Sequence, residues 1–226
     1  RDAIDLALAG QLRSATEGKA SGQSWRDHTR RLTQDQFWLY LGLQTVLGAP
    51  VDREIDLWEE MFIPEFLARE VDAWAEEEIW LHRVNEPSVE PSDVWGRYLL
   101  FSCALLLVLW LAVRYIPVLS AMFLVRAWLL GGGVMGIAMC FFWIGTDHSV
   151  ARLNMNLLVF SPLWLLAVFC RRCRRPIASL ILLTALIALM MPFIPPGQYS
   201  WDVLAAFLPI NLACAWVLWR VSDKSG

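Results

Sequence analysis

Apolar and polar positions change their pattern near residue 95. Before that point apolar residues recur at helical spacing among many charges; beyond it they run together in long blocks. Five blocks have spanning length, about 97–116, 127–146, 154–170, 177–194 and 202–220, and the third is the shortest. A span needs about 20 mostly apolar residues, with a range of about 17–25. In lipid each must be helical to satisfy its own backbone. The chain is therefore expected to be mainly α, with about five transmembrane helices.

The first part has a finer pattern. Asp2 to Leu12 predicts an amphipathic helix, with Ile4, Leu8 and Leu12 on one face and Leu6 off it. Gly18 to Ser24 reads as a polar loop, followed by a short basic run, SWRDHTRRLT. Thr33 with Gln36 makes a capping-box pattern that predicts a helix start. That helix continues through FWLYLGLQTVLG to Gly48-Ala49-Pro50, and its aromatic and leucine content predicts burial or contact with the membrane surface. DLWEEMFI predicts a helical turn, and PEFLAREVDAWAEEE a helix with Pro64 at its first position. IWLHRVN has strand character and is expected to pair with a sheet from upstream residues. Residues 85–94 read as a linker. The expected division is 1–84 as the C-terminal part of an extramembrane domain, 85–96 as linker and 97–226 as membrane domain.

Composition sharpens this picture. The chain is 57% hydrophobic with a mean hydropathy of +0.46, above the roughly 45–50% apolar content of soluble domains. Residues 1–95 carry 9 Lys/Arg against 19 Asp/Glu, a net −10; residues 96–226 carry 10 against 3, a net +7. The acidic part argues against nucleic-acid binding, which needs basic surface. Several of the 13 Trp fall near span ends, where amphipathic rings prefer the headgroup layer. The opening residues have no signal-peptide pattern, and the sequence is expected to be the C-terminal portion of a longer protein.

Basic residues set the expected orientation. Arg171, Arg172, Arg174 and Arg175 crowd the link between spans three and four, which should be cytoplasmic. Alternation then puts the Arg114–Arg126 link and the tail with Arg220 and Lys224 on the same side. The acidic segment 1–95, the loop GTDHSVARLN and PPGQYSW fall on the other.

Candidate chemistry is sparse. All five Cys lie at or beyond residue 103, so no disulfide framework is suggested. Cys170-x-x-Cys173 lacks the second pair or nearby His of a zinc site, so no metal is expected and no cofactor is implied. Gly131, Gly132, Gly133 and Gly136 predict close helix packing. His28, in RDHTRR, reads as exposed; His82 reads as alternating with core residues, and Glu76-Glu77-Glu78 as a solvated helix face. The sharper feature is Thr146-Asp147-His148, with Arg152, Asn154 and Asn156 following on the same short connection. An adjacent Asp can orient an imidazole, and polar groups at this depth can bind headgroups or line a site.

RDAIDLALAGQL, SWRDHTRRLT, LGLQTVLGAPVDREIDLWEEMFIPEFL and TDHSVARLNMNLLVFSPLW together resemble the Lnb-like bacterial membrane proteins, over about 1–85 and 143–165. That family pairs a periplasmic thiol-dependent domain of papain-like α+β type with a C-terminal helical membrane region. The resemblance implies acyl transfer onto bacterial lipoproteins in the inner membrane, with phospholipid and lipoprotein as substrates. It also implies a Cys nucleophile immediately before an Arg-Asp pair, so the nucleophile and its His partner would lie upstream of Arg1. By resemblance, Arg1-Asp2 sit on the helix after the nucleophile. Asp147 and His148 are the catalytic candidates, and Arg26, Arg152, Asn154 and Asn156 the substrate-binding ones. Two alternatives stay open: a membrane-tethered thiol peptidase or amidase, and a non-catalytic scaffold or sensor.

Overall fold

A computed structural model describes residues 1–72, 74, 92–115, 118–194 and 197–223. The first stretch runs α1 (Asp2–Ala7), α2 (Gln11–Thr16), β1 (Ala20–Ser24), α3 (Trp25–Thr33), α4 (Phe37–Val46), β2 (Glu54–Asp56), α5 (Leu57–Glu60) and α6 (Pro64–Asp72). The second runs α7 (Trp95–Tyr115), α8 (Val118–Ile144), α9 (Trp164–Phe169), α10 (Arg174–Met190) and α11 (Trp201–Asp223), with short 3-10 turns between them. The strand expected over IWLHRVN, His82, Glu76–Glu78 and most of the linker lie outside the described residues.

The chain divides into two compact units. One holds Arg1–Leu32 with the described residues of 53–91; the other holds Thr33–Asp52 with Ser92 onward. This differs from a single boundary at residue 85. The α4 segment groups with the apolar helices, because its leucines and aromatics find their apolar partners there.

In the first unit the expected Asp2–Leu12 helix is broken in two. Ala9 and Gly10 have φ of 53° and 81°, and Gly10 enters the left-handed region without a Cβ penalty. The Asp5 carboxylate then accepts the Arg13 amide at 2.8 Å, satisfying a donor in the first turn of α2. The apolar face survives the break: Leu12 is buried with Trp58 and Met61, and Ile4 and Leu8 pack against them. The expected loop Gly18–Ser24 contains β1, which pairs antiparallel with β2, Ala20 facing Asp56 and Ser24 facing Glu54. Both strands are polar, so period-two alternation gave no signal. No capping box forms at Thr33; α3 runs through that residue, and Gln36 precedes α4 without a side-chain cap. The capping box lies instead at α5, where Glu59 N–H donates to Asp56 Oδ1 at 2.7 Å and Asp56 N–H to Glu59 Oε2 at 3.3 Å.

The second unit contains three helices long and apolar enough to cross a membrane: Met122–Ile144, Arg171–Phe193 and Trp201–Val221. Trp95–Leu111 is a shorter apolar helix among the described residues. The protein is thus a mainly helical membrane protein.

The third expected span, 154–170, does not form one helix. It comprises a 3-10 turn at Met155–Leu158, an irregular stretch and the six-residue α9. A helix that short rises about 9 Å, far less than the roughly 30 Å of hydrocarbon. Pro162 supplies no amide, and Asn154 Oδ1 caps the preceding turn by accepting the Asn156 amide at 3.0 Å. The segment nevertheless runs antiparallel along α8. An added Cβ at Gly136 would collide with the Phe160 carbonyl, one at Gly132 would meet the Trp164 ring at 2.5 Å, and one at Gly133 would meet Leu165 at 2.7 Å. Three of the four glycines therefore serve close packing, as expected from the sequence. Non-helical backbone at membrane depth must be buried and hydrogen-bonded. Val159, Phe160 and Ser161 are buried. Asn211 on α11 donates to the Val159 carbonyl at 3.1 Å and accepts from the Trp128 indole at 2.9 Å.

Candidate functional site

In the second unit, the segment after α4 is laced to the connection that follows α8. Gly48 N–H donates to the Val150 carbonyl at 2.8 Å and Ala49 N–H to the Leu153 carbonyl at 3.4 Å. Any Cβ at Gly48 would collide with the Arg152 carbonyl, so only glycine permits this approach. Leu153 is held at φ 49°, a left-handed conformation uncommon outside glycine.

Three amide side chains complete the lacing. Asn154 Nδ2 donates to the Thr45 carbonyl at 2.9 Å, and Asn156 Nδ2 donates to the Gln44 and Thr45 carbonyls at 3.0 Å each. Gln198 Oε1 accepts the Met155 amide at 2.8 Å, while its Nε2 donates to the Leu47 carbonyl at 3.2 Å and to Asn154 Oδ1 at 3.3 Å. Asn154, Asn156 and Gln198 are all buried. Asn156 Oδ1 is buried with no hydrogen-bond partner among the described residues. The other end of α4 is tied to α7 and α11. Tyr40 donates to Asp202 Oδ2 at 2.6 Å, and the Tyr98 hydroxyl donates to the Phe37 carbonyl at 3.0 Å.

The predicted site residues thus separate. Asn154 and Asn156 are brought together, but as buried ties to backbone carbonyls. Asp147, His148 and Arg152 lie on the exposed part of the same connection. The His148 ring rests edge-on against Phe142 at 5.9 Å, and the Thr146 hydroxyl donates to the Phe142 carbonyl at 2.8 Å. Among the described residues no hydrogen bond or ion pair joins Asp147, His148 and Arg152, so they present ionisable groups at a surface without forming an oriented acid–base pair. Gln198, Tyr40, Asp202 and Asn211 escaped the sequence reading. The available signal was polarity inside apolar blocks, one Asp and one Asn in the last span.

Arg1, Asp2 and Arg26 belong to the first unit. Arg1 stacks over the Trp58 ring at 4.4 Å, donates to the Trp58 carbonyl at 3.0 Å and pairs with Asp2 at 3.1 Å. Arg26 is buried. His28 is also buried, contrary to the exposed position expected of it, because α3 turns it onto Phe66, with ring centroids 5.0 Å apart. His28 Nε2 lies 3.0 Å from Glu60 Oε1, without the alignment of a hydrogen bond. Burial, reinforced by the Arg31 charge, lowers the His28 pKa. Burial raises that of Glu60, opposed by Arg69. Both shifts favour neutral side chains.

Among the described residues, no group of His, Cys, Asp and Glu could hold a metal ion. No protein-family model, no curated protein and no solved structure matches this chain.

Proposed function

We propose that this chain is the membrane-embedded part of a bacterial acyltransferase of the Lnb-like kind, which moves an acyl group from a phospholipid to a lipoprotein. In this reading residues 1–95 and 146–153 are periplasmic, 171–175 and the C-terminus are cytoplasmic, and the first unit belongs to a papain-like thiol domain. A thiolate attacks the phospholipid ester and releases the lysophospholipid; the amine of the acceptor then opens the thioester and restores the thiol. Arg152 holds the headgroup phosphate, and His148 contributes at the headgroup without acting as the general base. The short ties of Asn154 and Asn156 fix the loop that carries them.

The observation that supports this reading is the lacing itself. Two of the stretches that carry the resemblance, LGLQTVLGAPVD and TDHSVARLNMN, are more than one hundred residues apart and bond to each other through Gly48, Asn154 and Asn156. The test is transfer of a labelled acyl chain from phosphatidylethanolamine vesicles to a lipopeptide amine by the intact protein. Labelled lipopeptide that disappears with a thiol reagent is expected. Release of free fatty acid alone, or cleavage of the peptide, would replace this reading with the hydrolase alternative, and the absence of any turnover would favour the scaffold.

A further inference from the structure

Arginines gather where α10 begins, in the second unit. Val125 of α8, Ile177 and Ala178 of α10 and Leu218 of α11 share one buried core, which brings Arg126 on α8 toward Arg174 on α10. Arg126 and Arg171 are near enough for their charges to bear on Arg174. Arg174 does not reach out to water as a boundary arginine ordinarily does; it is only 7% exposed. The Nε atoms of Arg126 and Arg174 are both buried without a hydrogen-bond partner among the described residues. Their neighbours are engaged: Arg175 lies over the Trp219 ring at 5.9 Å and Arg220 over the Trp216 ring at 4.6 Å.

A buried guanidinium needs a counter-charge. Beyond Asp93 the only acids are Asp147, Asp202 and Asp223. Asp147 follows the far end of α8, about 30 Å along the helix from Arg126, and Asp202 opens α11 at the end away from Arg220. Asp223 ends α11, a turn beyond Arg220.

We propose that Arg126 and Arg174 together bind the phosphate of an anionic phospholipid in the leaflet at their end of the bundle. Depth supports a lipid source. Arg126 lies four residues, about 6 Å, inside the span Met122–Ile144, and Arg174 three residues inside Arg171–Phe193. Trp216 and Trp219 beside them are exposed, as rings at the headgroup layer are. Guanidinium N–H groups match phosphate oxygens in geometry and charge, and basic pockets between spanning helices suit anionic headgroups. A zwitterionic headgroup such as choline would bring its own cation against two guanidiniums, so a net negative lipid is favoured.

The site lies at the other end of α8 from His148 and Arg152 and is read by binding alone, so its failure is distinct from failure of acyl transfer. The intact protein in a neutral detergent is titrated with phosphatidylglycerol, with phosphatidylcholine of the same chains and with inorganic phosphate, and adducts are counted by native mass spectrometry. Phosphatidylglycerol should bind about tenfold more tightly than the other two. Arg174→Gln and Arg126→Gln should each weaken it by about tenfold or more, the loss of a charge-assisted bond, and leave phosphatidylcholine binding unchanged. Arg172→Gln, at an exposed arginine of the same run, should leave all three unchanged. If Arg174→Gln does not fold, Arg126→Gln decides. Phosphatidylglycerol binding unchanged in the folded variants, or weakened equally by Arg172→Gln, would overturn the proposal in favour of diffuse surface charge. Inorganic phosphate binding as tightly as phosphatidylglycerol would overturn it in favour of a soluble anion.

Discussion

The side-chain amide of Asn156 donates to the backbone carbonyls of Gln44 and Thr45, 3.0 Å from each and more than one hundred residues away in sequence. Because α4 ends at Val46 and the Gly48 and Ala49 amides donate to Val150 and Leu153 instead, the carbonyls of its last turn are met by side-chain donors. Asn156→Ala removes both bonds at once. The Thr45 carbonyl keeps the Asn154 bond, so the variant loses two hydrogen bonds without stranding that acceptor; the expected cost is about 1 kcal/mol, and the variant should melt a few degrees lower. A melting temperature equal to the parent's would show that the lacing does not hold the segment.

His148 behaves differently. It is exposed and makes no side-chain ion pair among the described residues, so His148→Ala should change stability by no more than about 0.5 kcal/mol. In the proposed acyl transfer the loss of activity should stay well below the roughly 10²-fold of a lost general acid–base. Arg152→Ala should raise the apparent KM for phospholipid more than it lowers kcat. A hundredfold fall in kcat for His148→Ala, at unchanged melting temperature, would restore His148 as an acid–base group.

Asn211 supports the irregular segment 154–170. Asn211→Leu strands the Val159 carbonyl and the Trp128 indole at membrane depth, and the expected cost is about 1–3 kcal/mol. Reduced abundance in membranes and a lower melting temperature measure it. Asn211→Gln or →Asp, which retain an acceptor, should lose less at the indole than Asn211→Leu.

The His28–Glu60 pair predicts opposite responses to acid. Arg31, Asp27 and Glu65 surround His28; Arg69, Glu70, Arg31 and Glu65 surround Glu60. His28 has a folded pKa below its ordinary 6.5, so below about pH 6.5 the unfolded chain binds more protons and stability falls. Glu60 has a folded pKa above its ordinary 4.5, so its contribution is full below about pH 4.5 and is lost as pH rises through the raised value. On acidification from pH 7 to 5, Glu60→Gln should therefore lose more stability than the parent, and His28→Phe less. Thermal midpoints at the two pH values check both signs.

Thiol chemistry gives a separate expectation. Residues 1–102 contain no Cys, and the proposed acyl transfer draws its thiol from outside residues 1–226, so in that reading purified 1–226 should show no acyl transfer. Turnover by this chain that a thiol reagent abolishes would contradict the assignment of the nucleophile to upstream residues.

The long apolar helices were legible in the sequence because a block such as Met122–Ile144 announces itself by length alone. The glycine packing on α8 was legible for a related reason: small residues in an apolar block have few other uses. What stayed hidden depended on partners distant in sequence. Nothing near Ala20–Ser24 indicates that Glu54–Asp56 will pair with it. Nothing local tells that Asn154 and Asn156 serve carbonyls near Thr45 rather than a ligand. The 154–170 block has the composition of a helix, yet Pro162 and the Asn154 cap break it, and only the burial and Asn211 bond described above make that break tolerable. His28 was misplaced because a basic, polar run conceals the face that α3 turns onto Phe66.

The proposed membrane path puts Val150 and Gln198 on one side with the acidic segment, and the Arg171–Arg175 cluster on the other. The bond between Gln198 and Asn154 already keeps the 150s and residue 198 at one end of the bundle. The most direct measurement is labelling of single-cysteine variants at 150, 173 and 198 in intact cells with a membrane-impermeant maleimide. The account predicts that positions 150 and 198 label from outside and position 173 only after the membrane is opened. Labelling of position 173 from outside, or of 150 and 198 from opposite sides, would contradict it.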